Sequence, residues 1–171
     1  MVQVASDALV ADPVLLSPIV AAVESALAMC DTAVRCVGIS MVPCRDAGSV
    51  TGMIGVHGEV SGFVTVNMAQ RVAISAVSGL LQERCDTLSA QVIDGVGEIA
   101  NMIAGGIKKG LAGTPWRFSH VTVPSVIIGQ NYHIAFSRGL KYLCVTFEHQ
   151  SEEAVMLEDR LIQVAISLLR L

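Results

Sequence analysis

The sequence predicts a single α/β domain. Runs of apolar residues at helical spacing alternate along the chain with short runs whose residues alternate as in strands. The 171 residues match the length of one domain, and the sequence shows neither a composition break nor a tandem repeat. We therefore expect residues 1–171 to form one unit, with residues 1–12 as a loose N-terminus.

The first half of the chain predicts one helix followed by three strands. Apolar residues recur at helical spacing over residues 14–31, and Asp12-Pro13 offers a start for this helix. Strand-like runs follow at about residues 33–42, 50–57 and 59–68. In the third run, one face holds Val60, Gly62, Val64 and Val66, and the other holds Ser61, Phe63, Thr65 and Asn67. His57-Gly58 indicates a tight hairpin between the second and third strands.

The second half predicts two more helices and the rest of a sheet. A second helix is expected over residues 69–82. A longer third helix is expected over about residues 89–112, with possible caps at Asp86, Thr87 and Ser89 and an end at Gly113-Thr114-Pro115. Further strands are expected at about residues 118–128, 131–137 and 140–148. Residues 160–171 fit either a strand or a helix, and strict alternation favours the strand. The acidic region 149–160 has no assigned role.

The composition is apolar, with 53% hydrophobic residues and 15% charged residues, where about a quarter charged is usual. No window reaches ~18 uninterrupted apolar residues, so we expect no membrane span. The N-terminus lacks the basic residues of a signal peptide, which predicts a cytoplasmic protein. Two interpretations of the composition stay open. The chain is either a tightly packed domain or a subunit that buries apolar surface against a copy of itself.

Charge and residue spacing argue against several kinds of site. The net charge is −4, aromatic residues make up 4%, and the basic pair Lys108-Lys109 is too small for a phosphate track, so we expect no nucleic-acid binding. The 5 cysteines lack C-x2-C spacing and the 4 histidines lack ligand spacing, which predicts reduced thiols and no metal site. The glycines between residues 52 and 62 match no nucleotide-binding loop.

The predicted third helix contains an unusual stretch, DGVGEIANMIAGGIKKGL, at residues 94–111. Glycine inside a helix costs ~1 kcal/mol relative to alanine, and this stretch holds several. At ~100° per residue, one axial stripe is formed by Asp94, Glu98, Asn101, Gly105 and Lys108. The opposite side of the helix is apolar, so the stripe is expected to face outward.

This polar stripe has two interpretations. Most surface helices show charged residues of this kind, so it could be an ordinary solvated face. A docking face would instead explain the glycines, because Gly105 lies in the stripe and Gly95 and Gly97 flank it and would lower its walls. Gly106 and Gly110 lie nearer the buried side and are expected to allow tight packing.

The pattern D-x3-E-x2-N, formed by Asp94, Glu98 and Asn101 and followed by MIAG, resembles the signature of the CheC/CheX/FliY family of chemotaxis phosphatases. The stretches GMIGVHGEVSGFVTVNM and VTVPSVIIGQNYHI are also similar to that family. The resemblance covers about residues 14–170 and implies an α+β, CheC-like or CheX-like fold, with long helices packed on a mostly antiparallel sheet. A single E-x2-N motif resembles CheX, which implies a homodimer that continues the sheet across its subunits.

Members of this family hydrolyse the aspartyl phosphate of CheY-like response regulators. The resemblance therefore implies that Asn101 positions the attacking water and that Glu98 pairs with the active-site lysine of the regulator. Residues expected to contribute to docking are Asp94, Gly97, Gly105 and Lys108. The chain is expected to bind no cofactor, because the Mg²⁺ belongs to the receiver domain of the partner. The alternative is a non-catalytic CheC-like module that docks a receiver or a flagellar or chemotaxis partner.

Overall fold

Helices pack on one side of a seven-stranded antiparallel sheet. A computed structural model of the protein describes residues 12–42, 48–130, 132, 140–150 and 156–170. The helices are α1 (Pro13–Ala28), α2 (Gln70–Leu81) and α3 (Ala90–Gly110). The strands are β1 (Val34–Ser40), β2 (Val50–Gly58), β3 (Val60–Met68), β4 (Phe118–Val121), β5 (Ser125–Ile128), β6 (Lys141–His149) and β7 (Leu161–Arg170). This architecture confirms the predicted mixed fold with an antiparallel sheet.

The order of the strands determines which elements can meet. The sheet runs β1-β6-β7-β3-β2-β4, and β5 also pairs with β2. α1 and α3 contact each other, and α1 also contacts β6 while α3 contacts β2. Both helices therefore lie on the same face of the sheet. β1 and the β4–β5 pair form its two opposite edges, and α3 lies near the second of them.

Capping side chains begin two helices where the sequence predicts them. The Asp12 carboxylate accepts a hydrogen bond of 3.0 Å from the backbone N–H of Val14, and Pro13 occupies the first position of α1. Of the possible caps for α3, the structure uses Ser89, whose Oγ accepts a hydrogen bond of 3.3 Å from the N–H of Val92. Such a cap contributes ~1 kcal/mol to a helix.

The C-terminal segment forms a central strand, which confirms the strand over the helix. β7 pairs with β6 on one side and with β3 on the other. The residues of β7 that face the helices are fully buried or nearly so: Ile162, Val164, Ile166 and Leu168. In the pairing with β3, the partner of each is a buried apolar residue or a glycine. Ile166, for example, pairs with Val64. The alternation of these residues therefore reflects a strand with one face in the core.

The sheet predicted at about residues 118–128 is present and consists of two strands. The structure divides it into β4 and β5, which pair with opposite ends of β2. Pro124 lies between them and has no N–H to donate to a ladder. The strand predicted at residues 131–137 lies almost wholly outside the described residues. In the acidic region, the described residues include a short 3-10 helix, Leu157–Arg160.

An ion-pair network fastens β1 to the sheet. The Glu148 carboxylate of β6 accepts hydrogen bonds from Arg35 of β1, at 2.7 Å from its Nη2, and lies 3.4 Å from Arg160. Only 12% of the Glu148 side chain is exposed. The hydrogen bond from the Arg35 guanidinium lowers the pKa of this carboxyl below its ordinary value.

This network predicts a dependence of stability on pH. Because the folded pKa of Glu148 lies below the unfolded value of ~4.3, its contribution is fully present above that value and is lost as the pH falls through the folded pKa. Glu148→Gln should lower the free energy of unfolding at neutral pH and lower it less below pH ~4. Urea denaturation at both pH values measures this.

The matched control is Asp86→Asn, which breaks an ion pair with Arg84 whose side chains are 70% and 88% exposed. Exposed pairs contribute little, so this variant should unfold almost like the wild type at either pH. A Glu148→Gln variant with the same pH dependence as the wild type would contradict the role assigned to the carboxylate.

Candidate functional site

The candidate site lies on the exposed side of α3. The other side of this helix is packed into the core by its fully buried residues Val92, Val96, Ile99, Ala100, Ile103, Ala104 and Ile107. On the polar stripe, Asp94, Glu98 and Gly105 are exposed, and Asn101 and Lys108 are half-buried. The structure therefore brings these five predicted residues to one side of one helix, as the helical wheel predicts.

The polar groups of the stripe are free to bind a ligand. Within the described residues, the side chains of Asp94, Glu98 and Asn101 form no hydrogen bond or ion pair. Glu98 offers carboxylate oxygens that only accept hydrogen bonds, whereas the carboxamide of Asn101 both donates and accepts. One turn of helix separates them. Together they can orient a small polar group or a water against a docked surface.

The structure corrects the interpretation of Gly95 and Gly97. Both are buried, so neither lowers an exposed wall of the stripe. A Cβ at Gly95 would lie 2.6 Å from Cγ1 of Val77 on α2, and one at Gly97 would lie 3.3 Å from Cγ of Pro124. The two glycines let neighbouring elements approach the helix beside Glu98. A wheel gives the direction of a residue but does not show what packs there.

The other glycines of α3 separate into two groups. A Cβ at Gly106 would lie 2.8 Å from Cβ of Ala22, and one at Gly110 would lie 2.7 Å from Cβ of Pro18. Their predicted role in packing is therefore confirmed, with α1 as the partner. At Gly105 a Cβ would meet nothing within 4 Å. Packing does not explain this glycine, which lies in the middle of the exposed stripe.

The β4–β5 connection forms one wall of the site, which sequence reasoning missed. The N–H of Thr122 donates to the carbonyl of Gly55 at 2.9 Å, and its Oγ1 accepts from the N–H of Gly55 at 2.9 Å. Pro124 packs on Gly97 of α3. Val123, which lies between Thr122 and Pro124 in the loop, is 82% exposed. The loop held by these contacts thus presents an exposed apolar side chain beside the residue that packs on α3. The Val-Pro dipeptide inside a predicted strand is the sequence signal for this break.

Beyond Asn101, the stripe ends in an open cleft of about 400 Å³. It is lined by Gly105, Lys108, Lys109, Ala112, Gly113, Arg117 and Phe118. Lys109 and Arg117 were not among the predicted site residues. We call this feature the basic cleft.

Two other common features, a metal site and a membrane-spanning helix, are absent from the described residues. They contain no group of three or more histidine, cysteine, aspartate or glutamate residues able to hold a metal ion. None of their helices combines the length and the apolar composition needed to span a bilayer.

The comparisons with known proteins agree with the fold and identify the family of the chain. The family model described as chemotaxis phosphatase CheX matches residues 50–148, which include α2, all of α3 and most of the sheet. The chain belongs to the CheX family. The family resemblance carried by Asp94, Glu98 and Asn101 is thereby confirmed. A search of curated proteins gives no match.

Solved structures of the CheX family share the fold of this chain. CheX from Vibrio vulnificus is 24% identical, with 91% of this chain and 99% of that chain covered and a TM-score of 0.75. A putative chemotaxis protein from Desulfovibrio vulgaris Hildenborough is 23% identical, with 91% and 96% covered and a TM-score of 0.76. A CheX-CheY-BeF3-Mg²⁺ complex from Borrelia burgdorferi gives 23% identity, 90% and 97% coverage and a TM-score of 0.69.

The packing of α3 predicts opposite effects for two glycine substitutions. Gly95→Ala should lower the free energy of unfolding by ~1–3 kcal/mol, because its Cβ would overlap Val77. Gly105→Ala should raise it by ~0.5–1 kcal/mol, because the new methyl group has free space and alanine favours the helix. Urea denaturation of both variants measures this. Equal effects would show that tight packing does not distinguish these positions.

Proposed function

We propose that the protein is a phosphatase that hydrolyses the aspartyl phosphate of a CheY-like response regulator. The observation that carries this proposal is the carboxylate of Glu98 and the carboxamide of Asn101, one turn apart on the exposed side of α3 and unpaired among the described residues. Membership of a chemotaxis phosphatase family supports it. The similar Borrelia burgdorferi structure, which contains CheX, CheY, BeF3 and Mg²⁺, supports a receiver domain as the partner. The proposal includes a cytoplasmic location.

In this mechanism, Asn101 holds the attacking water in position. Its carboxamide oxygen accepts one hydrogen bond from the water, and its NH2 group can donate another to the water oxygen or to the phosphoryl group. The water oxygen attacks phosphorus in line as the bond to the aspartyl oxygen breaks. The products are the free aspartate carboxylate and inorganic phosphate, and the proton of the water passes to phosphate or solvent. Mg²⁺ bound by the receiver would neutralise the charge on the phosphoryl oxygens.

Glu98 would fix the docked geometry. An ion pair between its carboxylate and the active-site lysine of the receiver would be a charge-assisted hydrogen bond at the centre of the contact. Asp94, one turn earlier, would add a second contact at the rim. Gly105, one turn after Asn101, would let the receiver surface approach the helix backbone.

Replacement of Asn101 tests the mechanism directly. Asn101→Ala should lower the rate of phosphate release from a phosphorylated receiver by at least ~100-fold, because the water loses its orienting partner. Binding of the receiver should persist, because Glu98 remains. Gln91→Ala is the matched control, because it removes an exposed carboxamide from the same helix ~15 Å away. An unchanged rate for Asn101→Ala would exclude the assigned role.

The same assay distinguishes hydrolysis from the alternative function, which is docking alone. A non-catalytic docking module would use the same exposed helix, so it would bind the phosphorylated receiver without faster release of phosphate. The open surface at Gly105 suits either function, whereas a carboxylate and a carboxamide one turn apart, at Glu98 and Asn101, favour hydrolysis.

We further infer that the protein forms a homodimer through the outer edge of β1. β1 pairs with β6 on one side, and its other edge pairs with no strand among the described residues. Val37 and Ile39 on this strand are 45% and 47% exposed. An apolar edge strand is a template for pairing with another chain. Because α3 lies at the opposite end of the sheet, both polar stripes would stay accessible.

The dimer makes a prediction about mass in solution. Ile39→Lys should shift the protein from dimer to monomer in size-exclusion chromatography with light scattering, because an edge lysine opposes strand pairing. Val14→Lys, at an apolar position of α1 that is 41% exposed, should leave the mass unchanged. A monomeric wild type, or a dimeric Ile39→Lys variant, would exclude this interface.

A further inference from the structure

The proposed reaction brings two negative surfaces together. The substrate is a phosphoryl group beside the carboxylates that hold Mg²⁺ in the receiver. The helix that meets it exposes Asp94 and Glu98, and the chain as a whole carries a net charge of −4. Along the polar stripe the first cation is Lys108, ~15 Å from Glu98 along the helix axis. The proposed ion pair between Glu98 and the receiver lysine offsets part of this repulsion, and a basic surface nearby would add attraction to the receiver.

The basic cleft is placed to supply that attraction. It continues the polar stripe directly, because Gly105 belongs to both. Three basic residues line it: Lys108, Lys109 and Arg117. The Arg117 guanidinium donates to the Glu59 carboxylate at 3.0 Å and is still 55% exposed, so it is oriented without being covered. The cleft therefore combines three cations with one carboxylate.

Stabilisation of the helix alone does not explain this cluster. Lysines in the last turn of α3 interact favourably with the helix dipole, which accounts for Lys108 and Lys109 as local features. Arg117 follows the helix in a separate loop and faces the same cleft. Gly105 lines the cleft although packing leaves room for a side chain there. A ligand that approaches the backbone closely would explain both facts.

We propose that the basic cleft binds a carboxylate-bearing segment of the receiver next to its phosphorylation site. This inference rests on the proposed function of α3, because the receiver is the occupant. Lys108 lies ~10 Å beyond Asn101 along the helix, so the acidic segment would lie about that far from the phosphoryl group. Because these contacts are at the rim of the docked surface, they would steer association and hold the receiver without touching the reacting atoms.

Binding of a beryllofluoride-activated receiver from the same organism tests the cleft. Lys109→Gln and Arg117→Gln should each raise Kd about two- to five-fold at low salt and should flatten its dependence on ionic strength. Glu59→Gln should have the opposite effect and lower Kd, because it removes the carboxylate that pairs with Arg117. In phosphate-release assays, the loss in the lysine and arginine variants should lie in KM rather than in kcat.

The control is Arg84→Gln, which removes one positive charge from a side chain that is 88% exposed. It lies in the connection before α3, whose first residue is ~27 Å from Lys108 along the helix axis, and the substitution should leave Kd unchanged. An equal rise of Kd in this variant would indicate an effect of net charge and overturn the proposal. An unchanged Kd in Lys109→Gln and Arg117→Gln would also overturn it.

Different results would contradict the phosphatase proposal and the proposal for the basic cleft. If the wild type binds the receiver without speeding phosphate release, the phosphatase proposal falls, and the changes in Kd still test the cleft. If the wild type binds no receiver of its own organism, the cleft has no such occupant and the proposal is overturned. Circular dichroism of each variant before the assay identifies any loss of folding. Glu59→Gln should lower Kd while Lys109→Gln and Arg117→Gln raise it, and this opposition is expected only if the effect is electrostatic.

Discussion

The close approach of α3 to its neighbours is the constraint on which the rest of the structure depends. A side chain at Gly95, Gly106 or Gly110 would overlap α2 or α1, and Gly52 of β2 leaves the space that Ala100 occupies. Each glycine in the helix costs ~1 kcal/mol relative to alanine. Tight contact on several sides offsets this cost, because buried apolar surface and dispersion contacts accumulate over the whole helix.

This packing explains why a helix with so many glycines can serve as a platform for a site. Glu98 and Asn101 depend for their position on the backbone of α3, and that backbone is held by α1, α2, the sheet and the β4–β5 connection. A site on a rigid element keeps its geometry better than one on a mobile loop. The burial of Gly95 and Gly97 against neighbouring elements restrains the start of the helix.

The parts of the fold that depend on local signals could be predicted. Asp12 and Ser89 cap helices that begin where expected, and the alternation in β7 identified a strand that helical spacing could also have fitted. The polar stripe followed from the period of a helix alone. The packing of Pro124 on Gly97 and the position of Arg117 in the basic cleft could not be predicted in this way. Both depend on which loop packs against α3, and that arrangement is determined by pairings between strands that are distant in sequence.

The glycines of α3 also bear on the cooperativity of the protein. A helix with this composition has little tendency to form by itself, because nucleation is costly and most helical stability comes from packing. α3 therefore exists as a helix only while its neighbours are in place, and fraying of one turn would release contacts with several elements together. Hydrogen exchange at the amides around Glu98 and Asn101 would then follow the unfolding of the whole domain rather than local opening. The candidate site is in this sense a property of the assembled domain and not of the segment that carries its residues.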